Sequence, residues 1–166
     1  MHVEIKPQPP APQPPANARQ SGPLQVYVGQ TVSYTITSER FGHLMLLDAT
    51  PDRKLTRIYP NEFSNGTPDG ADPHVGQDRP RTIPDGRSGF QFKVEGPVGR
   101  GLLVALVLND KADVNSIVRE LSSPVTLAQP ADAERWLTDL LCRSPGRWWI
   151  DRQDYEVVMS AMPPRR

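Results

Sequence analysis

The sequence predicts a mainly β protein: an antiparallel β-sandwich, immunoglobulin-like in architecture, followed by two C-terminal helices. Three observations support this prediction. From residue 24 onward, short segments of alternating apolar and polar residues recur between Gly, Pro and Asn turns. Two apolar runs, residues 44–47 and 102–108, have the length of buried strands. After residue 110 the apolar spacing changes to that of a helix.

The first 23 residues are predicted to be a linker rather than part of the domain. Residues 7–23 contain seven prolines, and proline removes backbone donors and favours an extended polyproline II chain. Residues 3–6 are interpreted as the end of an upstream segment. A ligand for a proline-recognition domain is the alternative to a spacer. Residues 24–162 are predicted to form one domain with helical additions.

Alternation and turn residues predict the strands in order. The run at 44–47 is unbroken, so we expect its strand to be covered on both faces. Pro60 ends the return strand of a hairpin, because proline cannot donate to a central ladder. Residues 61–88 are polar and rich in Gly, Pro and Asp, which predicts a surface loop. The predicted strands are 24–28, 31–37, 43–47, 55–59, a short edge strand at 81–84, 90–94, and the central strand 102–108.

Two helices are predicted after the main strands. The first carries one apolar stripe, formed by Val114, Ile117, Val118 and Leu121, and Asp110 is its candidate N-cap. The second spans residues 130–142, and we expect both to cover an open end or edge of the sheets. Short strands are predicted at 125–127 and 155–159, with a strand or packed loop at 148–150.

Composition excludes several function classes. The 166 residues contain 19 basic and 19 acidic side chains, so no excess charge attracts nucleic acid. No apolar run approaches the ~20 residues of a membrane span, so we expect no membrane insertion. Cys142 is the only cysteine, which excludes an internal disulfide and a cysteine-rich zinc site. A periplasmic or other extracytoplasmic location is favoured over a cytoplasmic one.

The order of motifs between residues 24 and 109 resembles a known bacterial family. Phe41-Gly42-His43 leads into an aliphatic strand, and Tyr59-Pro60-Asn61 ends the next one. Residues 82–84, 90–92 and 99–106 follow at suitable spacing. The chain thus resembles a domain of unknown function that is found downstream of caspase-like peptidase and serine/threonine kinase domains. The resemblance implies an accessory module of a multidomain protein and supplies no catalytic residues.

The residues carry little evidence of catalysis, metal binding or a cofactor. His2, His43 and His74 lack the spacing of a metal site. Cys142 follows Leu141 on the second predicted helix, which favours an inert, buried thiol. Four side chains of the long loop could surround calcium but lack the spacing of an EF-hand, so a solvated loop is preferred. They are Asn65, Asp69, Asp72 and Asp78.

Trp148 and Trp149 are the best candidates for binding a ligand or partner. Adjacent strand residues point to opposite faces, so one ring can be exposed near Arg147 and Arg152. Such a ring suits a protein interface or a sugar platform. The alternative is that both rings fill the gap between helix and sheet. Asn61 is a further candidate, against the alternative of an Asx-turn after Pro60.

These observations predict a non-catalytic interaction or regulatory module. Its expected partner is another protein or the enzymatic domain of its own parent protein. A domain that binds carbohydrate or another cell-envelope ligand through Trp148 or Trp149 is the alternative. An enzyme of an unrecognised type is a third hypothesis.

Overall fold

The computed structural model describes residues 1–8, 22–61, 74–76, 79–85, 88–143 and 146–159. The strands are β1 His2–Pro7, β2 Leu24–Tyr27, β3 Thr31–Thr37, β4 Gly42–Ala49, β5 Lys54–Tyr59, β6 His74–Val75, β7 Arg81–Ile83, β8 Phe92–Lys93, β9 Gly99–Leu108, β10 Val125–Thr126 and β11 Trp148–Val158. The helices are α1 Lys111–Glu120 and α2 Ala133–Leu141, and the 3-10 turn Pro130–Asp132 leads into α2.

Within the described residues, the strands form two sheets. The smaller has the order β1-β3-β7, with β8 also paired to β3, and is antiparallel throughout. The larger has the order β10-β5-β4-β9-β11-β2, with β6 paired to β4. It is mixed, because β2 runs parallel to β11. The mainly β class and the two helices are confirmed, whereas the immunoglobulin-like arrangement stays a prediction.

The larger sheet is buried on both faces along β4 and β9. Leu103, Ala105 and Val107 join the core shared with the smaller sheet. Val104 and Leu106 alternate with them along β9 and face the helices. Every residue from 101 to 108 is buried. The unbroken apolar runs at 44–47 and 102–108 are therefore explained by burial on both sides.

The two helices cover a face of the larger sheet, so the expectation that they cover an end or edge is wrong. Ile117 of α1, its C-cap Leu121, and Leu137 and Leu141 of α2 pack in one cluster with residues of β4, β5 and β9. Asp110 caps α1, since its side chain accepts a hydrogen bond from the Ala112 N–H at 2.8 Å. None of the helices described is long and apolar enough to cross a membrane.

The first residues belong to the folded core, whereas the sequence placed the start of the domain at residue 24. Val3 and Ile5 are buried, and β1 pairs antiparallel with β3. On the side of β1 away from β3, side chains of β11 accept hydrogen bonds from the backbone. The Val3 N–H donates to the Asp151 carboxylate at 2.6 Å, and the Ile5 N–H donates to the Gln153 side-chain carbonyl at 2.5 Å. Two alternating apolar residues were too short a signal to predict a strand. The proline-rich residues 9–21 lie outside the described residues.

The C-terminal strand is longer than predicted. Residues 148–150 and 155–159 were treated as separate segments, but β11 runs without a break from Trp148 to Val158 and pairs with β9 along ten residues. The intervening residues 151–154 are polar because they face β1, α2 and solvent.

In the predicted surface loop, residues 62–73, 77–78 and 86–87 lie outside the described residues. Strand β7 forms an edge of the smaller sheet, as expected.

Replacing Ile5 with alanine is expected to destabilise the domain by about 2–5 kcal/mol, because it leaves a cavity between the sheets. The free energy of unfolding is measured by urea denaturation. Glu4→Ala is the matched control on the exposed face of β1 and is expected to change stability by no more than about 0.5 kcal/mol. Equal effects of the two substitutions would contradict a core position for β1.

Candidate functional site

The two tryptophans lie on opposite faces of β11, as the alternation of strand side chains requires. Trp148 packs against the helix-side core, and Trp149 packs against the core between the sheets. Both are half-buried. The guanidinium of Arg40 lies 5.8 Å from the centre of the Trp149 ring, within cation–π range.

Trp149 belongs to a larger surface at one end of the two sheets. Phe41 is 66% exposed, and its ring stacks on His74 with centroids 5.1 Å apart and planes 13° apart. The rings of His74 and His43 are 4.0 Å apart, because β6 pairs with the start of β4. We call this surface the aromatic end; its residues are Arg40, Phe41, His43, His74 and Trp149.

The electrostatics of the aromatic end favour neutral histidines. Partial burial lowers the pKa of His43, and the positive charge of Lys111 lowers it further while Asp110 opposes the shift. Partial burial also lowers the pKa of His74, with contributions from His43 and Arg81. The Arg81 guanidinium, on β7, donates to the His74 carbonyl at 2.7 Å and to the Tyr59 hydroxyl at 2.9 Å. It therefore links β7 to both β6 and β5. At neutral pH the surface is therefore aromatic and only locally charged.

The other candidate binding residues, Asn61 and Arg147, do not form one site with the tryptophans. The Asn61 side-chain amide donates to the Ile58 carbonyl at 3.0 Å, which ties it to its own strand; this is not the acceptor bond of an Asx-turn. Two strands, β4 and β9, separate β5 from β11, so Asn61 and Trp149 are about 14 Å apart across the sheet. Arg147 is exposed and its carbonyl accepts from Asn109 at 3.1 Å, while Arg152 pairs with Glu134 of α2.

Cys142 is exposed, so the expectation of a buried thiol is wrong. It is the C-cap of α2, directly after the buried Leu141. Among the described residues, no three His, Cys, Asp or Glu side chains are grouped so that they could hold a metal ion. The four loop positions weighed for calcium, 65, 69, 72 and 78, lie outside the described residues.

Sequence reasoning missed a second site, a pocket of about 430 Å³ between the sheets at the end opposite the aromatic end. Its central polar contact is a hydrogen bond of 2.7 Å from the Tyr155 hydroxyl to the Asp48 carboxylate. Gly101 makes this contact possible: a Cβ there would lie 2.3 Å from the Tyr155 ring. The ring therefore crosses β9 over Gly101, which has no side chain, and reaches β4.

Burial controls the ionisation of this pair. Desolvation raises the pKa of Asp48 to about 6, although the hydrogen bond from Tyr155 acts in the opposite direction. Burial also raises the pKa of Tyr155, and the negative charge of Asp48 raises it further, so the phenol stays protonated and remains a donor. Burial likewise raises the pKa of Tyr34 on the facing sheet. The sequence signal was an aspartate placed directly after the apolar run 44–47, at an inward strand position.

A family model described as Domain of unknown function (DUF4384) matches residues 25–111, just over half of the chain. The match runs from β2 to the first residue of α1, so it includes Phe41, His43, Asp48 and Gly101 but neither tryptophan of β11. It confirms the expected resemblance to a domain of unknown function. No curated protein and no solved structure gives a significant match to the chain.

Asp48→Asn is expected to remove a pH dependence of stability. The pKa of Asp48 is raised from 3.8 to about 6, so the folded state takes up a proton before the unfolded state does. The Asp48 contribution therefore stabilises the wild type as the pH falls from 7.5 to 5, by about 1.4 kcal/mol relative to Asp48→Asn. Urea denaturation at both pH values measures the difference.

Asp52→Asn is the matched control for this measurement. Hydrogen bonds from Lys54 and Thr50 lower the pKa of Asp52, so its titration lies below this pH window. The charge of Asp52 is the smallest of the causes that raise the Asp48 pKa, so the control is expected to keep most of the wild-type change in stability between pH 7.5 and 5. A constant difference between wild type and Asp48→Asn at the two pH values would refute the assigned shift.

Proposed function

The chain belongs to the DUF4384 family of domains of unknown function. From this premise we propose that the chain is a non-catalytic accessory module of a larger bacterial protein. We propose that this module binds a protein partner through its aromatic end. The single observation that carries this proposal is the exposed, stacked ring of Phe41. The partner we propose is an enzymatic domain of the same parent protein, which is what the resemblance in the sequence implies.

The geometry of the aromatic end suits a protein interface. Stacking on His74 holds the Phe41 ring in one orientation, so little side-chain freedom is lost when a partner covers it. Arg40 is similarly held over Trp149. Aromatic residues and arginine are enriched among the side chains that dominate binding free energies. Lys111 and Asp110 add charges of both signs beside this apolar centre, as in the polar rim of an interface.

Carbohydrate binding through the tryptophans has less support. A sugar platform needs an open ring face, whereas both indole rings are half-buried and Arg40 lies over Trp149. Trp148 packs among residues of the helix-side core. Tryptophan fluorescence titrated with a panel of glycans tests this alternative, and a saturable change would favour it over the protein interface.

A photoreactive phenylalanine analogue placed at position 41 of the full-length parent protein is expected to form a covalent adduct with an enzymatic domain of the same parent. Peptide mapping by mass spectrometry identifies the residues joined. Val98 is the matched control position: it is 51% exposed and lies at the opposite end of the sheets. We expect the yield at position 41 to exceed the yield at position 98 by about tenfold.

Equal yields at positions 41 and 98 would overturn the interface at the aromatic end. An adduct to one different protein, abolished by Arg40→Ala, would keep the interface and replace the partner. The position of the adduct thus tests the surface and the partner separately.

The isolated chain is expected to have no hydrolase activity that depends on Cys142. Within the described residues, no hydrogen bond joins the Cys142 thiol to a histidine that could act as its base. Wild type and Cys142→Ala are therefore expected to give equal rates on a panel of fluorogenic peptides. A rate present in the wild type and lost in Cys142→Ala would show that the chain is an enzyme.

A further inference from the structure

The pocket between the sheets is built from both of them and lies away from the aromatic end. Six apolar or aromatic side chains form its interior walls, and the turn after β4 and the segment after β8 form its mouth. The interior wall residues are Ile5, Val26, Val32, Tyr34, Leu103 and Val157. A volume of about 430 Å³ is in the range of small-molecule sites.

The charge inside this pocket is negative. Asp48 is the acidic group of the interior, and the aromatic rings of Tyr34 and Tyr155 lie beside it. The lysines that line the pocket are at its mouth: Lys54 is held by Asp52 at 2.6 Å, and Lys93 is exposed. Among the described residues, the interior of the pocket therefore has a carboxylate and aromatic faces but no cationic side chain to neutralise the carboxylate.

Asp48 retains capacity to accept a further hydrogen bond. A carboxylate has about four acceptor positions, and among the described residues this side chain accepts a hydrogen bond from Tyr155 alone. A structural ion pair would place a cation of the protein against it. Here that position is open to the pocket instead.

We propose that this pocket binds a small amphipathic amine, whose ammonium group pairs with Asp48 and whose apolar part lies against Ile5, Tyr34 and Val94. A carboxylate beside aromatic rings is a suitable site for an ammonium group, because both attract positive charge. The apolar walls account for the rest of the ligand. This site is separate from the proposed protein interface, so either can fail without the other.

The probe for this site is n-hexylammonium, with 1-hexanol and hexanoate as the neutral and anionic analogues of equal length. Binding to the wild-type chain at pH 7.5 is measured by titration with two-dimensional NMR. The ammonium compound is expected to bind at least about tenfold more tightly than the alcohol, because a charged hydrogen bond is added to the same apolar contact. Hexanoate is expected to bind more weakly than the alcohol.

The variants separate the carboxylate from the mouth of the pocket. Asp48→Asn is expected to bind hexylammonium and hexanol equally, whereas Asp52→Asn at the mouth is expected to keep the tenfold preference. No binding of hexylammonium at millimolar concentration would overturn the proposal. A preference that Asp48→Asn leaves unchanged would overturn it as well.

The pH dependence provides a test that needs no variant. Hexylammonium stays charged at mildly acidic pH, so its affinity for the wild type is expected to fall about tenfold from pH 7.5 to 5 as Asp48 becomes protonated. The other titratable groups that line the pocket are Tyr34 on β3, Asp52 and Lys54 at β5, Lys93 and Glu95 near β8, and Tyr155 on β11. Affinity that is constant across this range would contradict pairing with Asp48.

Discussion

Burial of β9 on both faces is the constraint on which the remaining architecture depends. Its neighbours β4 and β11 satisfy its backbone, and its side chains alternate between two cores. Each fully buried aliphatic side chain contributes about 1.5–3 kcal/mol, so neither covering layer can be removed without a large loss. Because both faces are covered along this strand, polar or exposed functional groups are displaced to the two ends of the sheets.

Strand β4 connects those two ends. His43 lies near its start, in the aromatic end, and Asp48 lies five residues later, in the pocket. An extended chain of that length spans about 17 Å, so the two sites are too far apart to share a ligand. His43 and Asp48 fall within the residues matched by the family model, whereas Trp149 and Tyr155 on β11 fall outside it.

The positions of most strands along the chain, both helices and the Asp110 cap could be predicted because each depends on local spacing of apolar or capping residues. The two candidate sites could not. Tyr155 and Asp48 are separated by 107 residues, and His43 meets His74 only because β6 pairs with β4. The alternation of side chains along a strand predicted that Trp148 and Trp149 lie on opposite faces. Their partial burial could not be predicted, because it depends on which layers cover β11. Val3 and Ile5 were missed because a six-residue strand held from a distant element carries little pattern of its own.

The attachment of β1 makes the first residues of the chain a reporter on the pocket. Ile5 is at once a wall of the pocket and a residue whose N–H is held by Gln153. Occupancy of the pocket and closure of β1 are therefore thermodynamically linked, and each must favour the other by the same factor. Tension applied to β1 would therefore oppose both its pairing in the sheet and the binding of the amine proposed for the pocket.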